Sequence, residues 1–176
     1  MKKIKVAIVV GSDSDLPIIV NTTKILEELS IAYSIAVASA HRTPDKVIKY
    51  VKDCENAGAD VFIAAAGMAA ALPGVVASKT LKPVIGLPIE SKALGGQDAL
   101  FSIVQMPQGI PVATVAIGKA GAVNAGILAA QILAIKDNEI LQKLILYRKK
   151  LANNVNEKNA KLQKVGIAKF VEQNTK

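Results

Sequence analysis

Two hydrophobic rhythms alternate along the first 135 residues of the chain. Short apolar runs, rich in β-branched residues, are each followed by a stretch whose apolar positions recur every three or four residues. That alternation predicts a parallel sheet with helices packed on its faces, an α/β architecture. The runs predict strands at Ile4–Val10, Tyr33–Ala38, Val61–Ala66, Val84–Leu87 (between Pro83 and Pro88) and Val112–Ile117. After the first strand, Asp15 is positioned to cap a helix with Pro17 just inside it. Ile18, Ile19, Thr22, Ile25, Leu26 and Leu29 form one face of that helix. Thr43 and Pro44 open a second helix, in which Val47, Ile48, Val51 and Cys54 share a face and which Gly58 ends. The third strand runs into a small-residue segment, Gly67–Gly74, and a last core helix spans about Ala120 to Leu133.

That last helix carries no charge between Lys119 and Lys136. A helix apolar on all sides must be buried on all sides. One sheet covers only one side, so a second subunit is expected to cover the rest. From Asp137 the composition changes. Ile140, Leu141, Leu144, Ile145, Tyr147, Leu151 and Val155 keep helical spacing while lysines fill the other positions, which predicts a long amphipathic helix. Beyond Gly166 a short helix or a frayed end is expected. The expected organisation is therefore an α/β core over residues 1–135 and a helical extension over 136–176 that packs on a neighbouring subunit, within a single domain.

Composition narrows the class. Of 176 residues, 51% are hydrophobic, too many for a disordered chain, and the length suffices for a core without staples. The one cysteine, Cys54, has no partner for an internal disulfide. The apolar stretches break well before the ~18 residues of a membrane span. The opening MKKIKVAIVV has the basic start of a leader, but its apolar run is short and meets Gly11-Ser12-Asp13 with no small-residue cleavage site, so a cytoplasmic location is expected. The net charge of +8 is uneven: residues 1–135 carry 12 basic and 10 acidic side chains, residues 136–176 carry 10 and 4. The excess belongs to the final helix and lacks the regular interleaving of aromatics on which bases stack. It reads as a solvated face, with no nucleic-acid partner.

In open parallel sheets ligands bind beyond the carboxyl ends of the strands, so the loops after each strand are the places to search. Gly11-Ser12-Asp13-Ser14-Asp15 offers close backbone approach, two hydroxyls and a helix N-terminus, which together suit an anion such as phosphate. Asp15 suits a sugar diol. The same five residues also make an ordinary capped turn, and the loop alone does not decide. Ser39-Ala40-His41-Arg42-Thr43-Pro44 holds the only histidine and the only arginine before Arg148. Ser39 and Arg42 form a second half of an anion site. Histidine is the side-chain type whose reference pKa lies near neutrality, so His41 reads either as a proton shuttle or as a solvated surface histidine. A lone histidine without a cysteine cluster leaves no transition-metal site, and no G-x-S-x-G elbow supports a serine hydrolase. The segment Ala65–Gly74 either lines a flat pocket with backbone or packs helices tightly. Residues 88–109 exceed a simple connection and are expected to fold over a site or an interface. Lys119 lies at the same sheet edge, as a surface charge or a cap contact.

Taken in order, GSDSD at 11–15, SAHRTP at 39–44, AGMAAALPG at 66–74, PVIGLPIES at 83–91 and SIVQMPQGIPVATVAIGKAGAVNAGILAAQILA at 102–134 resemble the PurE family of purine biosynthesis. The likeness is greatest to its bacterial class I members, the N5-carboxyaminoimidazole ribonucleotide mutases, and it covers residues 4–135. It implies a flavodoxin-like three-layer sandwich with a central five-stranded parallel sheet, assembled as a homo-octamer. It implies a reaction, without cofactor or metal, that moves a carboxylate from the exocyclic nitrogen of an aminoimidazole ribonucleotide to ring carbon 4. By motif, Ser12, Ser14, Asp15, Ser39 and Arg42 would hold the ribose phosphate, His41 would be general acid and base, and Gly67 and Leu72 would line the pocket for the base and carbon dioxide. One position departs: where family members commonly carry histidine before Leu-Pro-Gly, this chain has Ala71. Two alternatives stand beside the mutase: a direct carboxylase using carbon dioxide, and a nucleotide-binding homologue with weakened catalysis. The stretch ALFSIVQMP keeps the class I pattern.

Overall fold

The computed structural model describes residues 3–174. Strands β1 (Val6–Val10), β2 (Tyr33–Val37), β3 (Val61–Gly67), β4 (Val84–Ile89) and β5 (Ala113–Thr114) form one parallel sheet in the order β2-β1-β3-β4-β5. Between and after them run α1 (Leu16–Glu28), α2 (Pro44–Asn56), α3 (Leu72–Ala77), α4 (Gln97–Val104), α5 (Gly118–Ala134), α6 (Asn138–Val165) and α7 (Ile167–Asn174). Successive strand side chains point to opposite faces, and both faces are covered, which is why the strands read as continuous apolar runs. Val6, Ile8 and Val10 of β1, with Ile63 and Ile85, pack against α1, α5 and the first turns of α6. Ala7 and Val9, with Phe62 and Ala64, face α2, α3 and α4. This is the expected three-layer, flavodoxin-like α/β sandwich with a long C-terminal helix.

Several element boundaries differ from the sequence expectation. β4 runs through Pro88 instead of stopping before it. The Gly86 carbonyl accepts from Val115 N–H on the β5 side. Pro88, two residues on, faces the same side, but β5 pairs only with Ile85 and Gly86, so the missing proline N–H breaks no ladder bond. β5 covers two residues of the expected six, because the chain leaves the sheet after Thr114 to enter α5. The short helices α3 and α4 were not expected. At the amino ends of the strands, Asp60 before β3 pairs with Lys82 before β4 at 3.1 Å and with Lys5 before β1 at 3.5 Å. Burial raises the Asp60 carboxyl somewhat, but the hydrogen bond and charge of Lys82, then of Lys5, outweigh it and hold it below its ordinary value.

The covering of α5 is also a correction. Its own chain covers most of it. The sheet lies along one side, α6 contributes Ile140 and Leu144, and α1 packs so closely that a Cβ on Gly126 would stand 3.0 Å from Ile25 Cβ. The buried Thr22 hydroxyl of α1 donates to the Ala122 carbonyl of α5 at 2.8 Å. What α5 leaves exposed is Lys119, Ala120, Asn124 and Gln131, while Val123, Ile127, Leu128 and Ile132 are half-buried. The hydrophobic pattern shows that a helix must be covered, but not which chain covers it.

The extension begins as expected and then leaves the core. Asp137 caps α6 by accepting from the Glu139 and Ile140 N–H groups. Lys150 reaches back to Glu28 of α1 at 2.9 Å. Past that ion pair, Leu151 and Val155 are exposed.

Candidate active site

The strand order reverses direction at β1 and β3, and the crevice this opens lies beyond their carboxyl ends. A cavity of about 570 Å³ occupies it, walled by the loops that follow β1, β2, β3 and β4.

The first wall is tied by its own hydroxyls. Ser12 Oγ accepts from the Ser14 N–H at 3.3 Å, and Ser14 Oγ donates to Ser12 Oγ at 2.9 Å. Residues Asp13–Asp15 form a tight 3-10 turn ahead of α1. That extra turn moves the cap back: Ser12 caps it, and the Asp15 carboxylate, expected to cap α1, makes no cap bond. Asp15 is instead buried at the cavity edge, 7% exposed. Burial pushes its carboxyl above the ordinary value, against the opposing hydrogen bonds from Ser14 and the Ser12 backbone; the Asp13 charge adds to the rise. The electrostatics suit a carboxyl that meets neutral hydroxyls.

The second wall is a closed ring. Ser39 N–H donates to Thr43 Oγ1 at 2.9 Å, and Arg42 N–H donates to Ser39 Oγ at 3.2 Å. Thr43 spends its hydroxyl on Ser39 and not on capping α2. The ring holds His41 and Arg42 exposed at its tip.

The third wall starts at Gly67, where a Cβ would lie 3.3 Å from the Ile89 carbonyl oxygen, a tight approach that a side chain would push apart by a few tenths of an ångström. Met68 follows with φ of +57°, then small residues to Ala71, and buried Leu72 opens α3. The fourth wall is Ile89, Glu90 and Ser91, with Ser91 Oγ donating to Asp98 Oδ2 of α4 at 3.1 Å.

All eight residues singled out from the sequence, Ser12, Ser14, Asp15, Ser39, His41, Arg42, Gly67 and Leu72, line this one cavity. Met68, Glu90 and Ser91 were not singled out by the sequence, although Met68 lies in the Ala65–Gly74 segment read as a possible pocket lining. Glu90 and Ser91 lay inside the over-long 88–109 region, whose placement was the only signal. Met68 was hidden in an apolar run. Lys119 is exposed in the first turn of α5 and does not line the cavity. Among the described residues no group of three or more His, Cys, Asp or Glu is arranged to hold a metal ion, and no helix is long and apolar enough to cross a membrane. Hydroxyls and a guanidinium stand on one side, a single imidazole beside them, and an apolar, backbone-rich wall opposite. The arrangement can hold a phosphorylated sugar with a planar base and move one proton.

Comparison with known proteins places the chain. The profile of the family described as AIR carboxylase matches residues 5–154. The N5-carboxyaminoimidazole ribonucleotide mutase of Thermotoga maritima is 52% identical over 169 residues, covering 96% of this chain and 98% of the relative. The enzyme of the same name from Escherichia coli is 53% identical over 153 residues, 87% of this chain and 90% of the relative. Among solved structures, Treponema denticola PurE superposes with a TM-score of 0.81 at 31% identity, covering 89% of this chain and 97% of that one.

Proposed function

The chain belongs to the AIR carboxylase family, and we infer that it carries out the reaction its relatives are named for. As an N5-carboxyaminoimidazole ribonucleotide mutase, an isomerase of purine biosynthesis, it moves the carboxylate from the exocyclic nitrogen to ring carbon 4. The observation that carries this reading is the convergence of four separated loops on one cavity, with anion-binding groups and a lone imidazole side by side.

The roles follow from chemistry. Ser12, Ser14, Ser39 and Arg42 bind the phosphate, and Asp15 accepts from the ribose hydroxyls. The base lies against Gly67 and Leu72. The nitrogen–carbon bond of the carboxyamino group breaks, carbon dioxide leaves, and the nitrogen takes up a proton from His41. Carbon 4 then attacks the trapped carbon dioxide, and His41 takes the carbon 4 proton back, so atoms and charge balance over the cycle. Confinement beside the ring makes recombination nearly unimolecular. No second imidazole stands at Ala71, so His41 serves both proton transfers.

We also propose a homo-oligomer, an octamer by family resemblance, working in the cytoplasm. Exposed Phe101 and Val104 on α4, and Leu151 and Val155 on the free stretch of α6, support intersubunit packing. Light scattering tests the assembly; a monodisperse monomer counts against it. A spectroscopic assay with both ribonucleotides, with and without bicarbonate, tests the chemistry. Conversion of the N-carboxylated substrate without added bicarbonate is expected. Conversion only of the uncarboxylated amine with bicarbonate identifies the direct carboxylase, and tight product binding without turnover identifies a binding homologue. Running Ala71→His alongside measures what a second imidazole adds.

A further inference from the structure

Met68 is one of two non-glycine residues with positive φ in the described chain, at +57°, and it lines the cavity. A long side chain is disfavoured in that conformation, and such outliers persist where the surroundings fix the backbone. Here both sides are fixed. Gly67 ends β3 in register with Ile89 of β4, with space for a Cβ only 3.3 Å from the Ile89 carbonyl oxygen, and Ala70 is buried. The loop path is therefore set by its neighbours, and Met68 holds an apolar side chain at the cavity with 69% of its surface still open. Three residues on, the same wall carries only the exposed methyl of Ala71. An unbranched thioether adapts to fill such a gap and makes favourable contacts with a flat ring.

We propose that Met68 is the residue that closes the cavity over the bound base and retains the carbon dioxide released there. This deepens the mutase reading and rests on it. Carbon dioxide is small and apolar, and no side chain on that wall bonds to it. Retention therefore depends on excluding bulk water, with which escaped carbon dioxide forms bicarbonate and a proton. Met68 supplies a flexible, non-nucleophilic cover; it touches the substrate without exchanging a proton.

The test uses the full chain and a substrate whose migrating carboxylate is isotopically labelled, converted in unlabelled bicarbonate buffer. Mass spectrometry of the product reads how much label is kept. Met68→Gly suits the backbone conformation, so the fold should hold, and label loss is expected to rise several-fold over the parent, together with released uncarboxylated ribonucleotide. Met68→Leu is expected to restore retention toward the parent value. If Met68→Gly retains label as the parent does, the role of Met68 is refuted while the mutase reading stands. If the parent converts no substrate, both fall. A loss of stability in Met68→Gly with unchanged label retention would mark a purely structural residue and refute the proposal.

Discussion

Replacing Arg42 by alanine should separate the phosphate from the rest of the ligand. A charge-assisted hydrogen bond contributes about 1.5–3 kcal/mol, which at about 1.4 kcal/mol per decade is a loss of about 10- to 150-fold in affinity. Two features of the loop place the expected loss in the lower part of that range. Arg42 is exposed, so it sheds water to bind and its charge is screened, and the serine hydroxyls of the first loop remain. The backbone at Arg42 is meanwhile tied through its own N–H to Ser39 Oγ at 3.2 Å, a bond that truncating the side chain leaves intact. The loop should therefore survive, and the expected cost is about 10- to 40-fold for the product ribonucleotide. The corresponding nucleoside, which lacks phosphate, should bind parent and variant almost alike. Calorimetric titration reads the first, and displacement reads the weaker second. Raising the salt should weaken the parent more than the variant. Equal losses for nucleotide and nucleoside would show that Arg42 acts elsewhere, or that the ring at Ser39 collapsed without it.

Four further outcomes are expected. His41→Asn should lower turnover at least ~100-fold while product binding, measured by calorimetry, stays near the parent value; an active variant removes the proton-shuttle role. Asp15 holds its proton more tightly in the fold than in the unfolded chain, so its ionisation costs stability as pH rises from the ordinary carboxylate range through its folded value. Thermal melts should accordingly find Asp15→Asn more stable than the parent at pH 7, with the gap closing as pH falls toward the acid side of that range, and less active; a less stable variant at pH 7 contradicts the burial argument. Thr22→Val should cost about 1 kcal/mol, or about 2–4 °C in Tm, by removing the bond to Ala122; unchanged melting would assign that bond no net value. Gly126→Glu should prevent the chain itself from folding, as judged by circular dichroism, because the position faces Ile25 of α1; a folded but dissociated chain would restore an intersubunit role for α5.

What the sequence disclosed, and what it withheld, divides along local and non-local physics. The runs at β1 and β3 were legible because both sheet faces are covered and every position is apolar. The site was legible because its polar residues cluster at strand ends, where His41 and Arg42 stand exposed with no cap to make, although Ser12 also caps the 3-10 turn. Helix α4 escaped because its N-cap is Gly96 at φ +84°, with no side-chain cap to signal a start. The end of β5 escaped because the chain leaves the sheet after Thr114 while β4 runs on to Ile89, a departure that no local pattern records. Asp15 was misread as a cap because one extra 3-10 turn shifts the cap three residues without changing the composition. Met68 was read only as part of a possible pocket-lining segment, because an apolar residue among alanines gives no chemical signal of its own. Its positive φ exists only once the loop is built.

The Asp60 network and the cavity lie at opposite ends of the same strands, and this separation bears on how such a protein evolves. Lys5, Asp60 and Lys82 tie together the starts of three strands, and a shared-ion network of that kind gains weight as temperature rises. A lineage moving to hotter water can retune those three positions without touching a residue that meets the ligand. Selection for turnover, in the other direction, acts on rim positions such as Ala71, whose replacement leaves the strand starts as they were. The share of heat tolerance that this network carries is thus inherited through codons other than those of the ligand-facing side chains, and a population can change one while the other drifts.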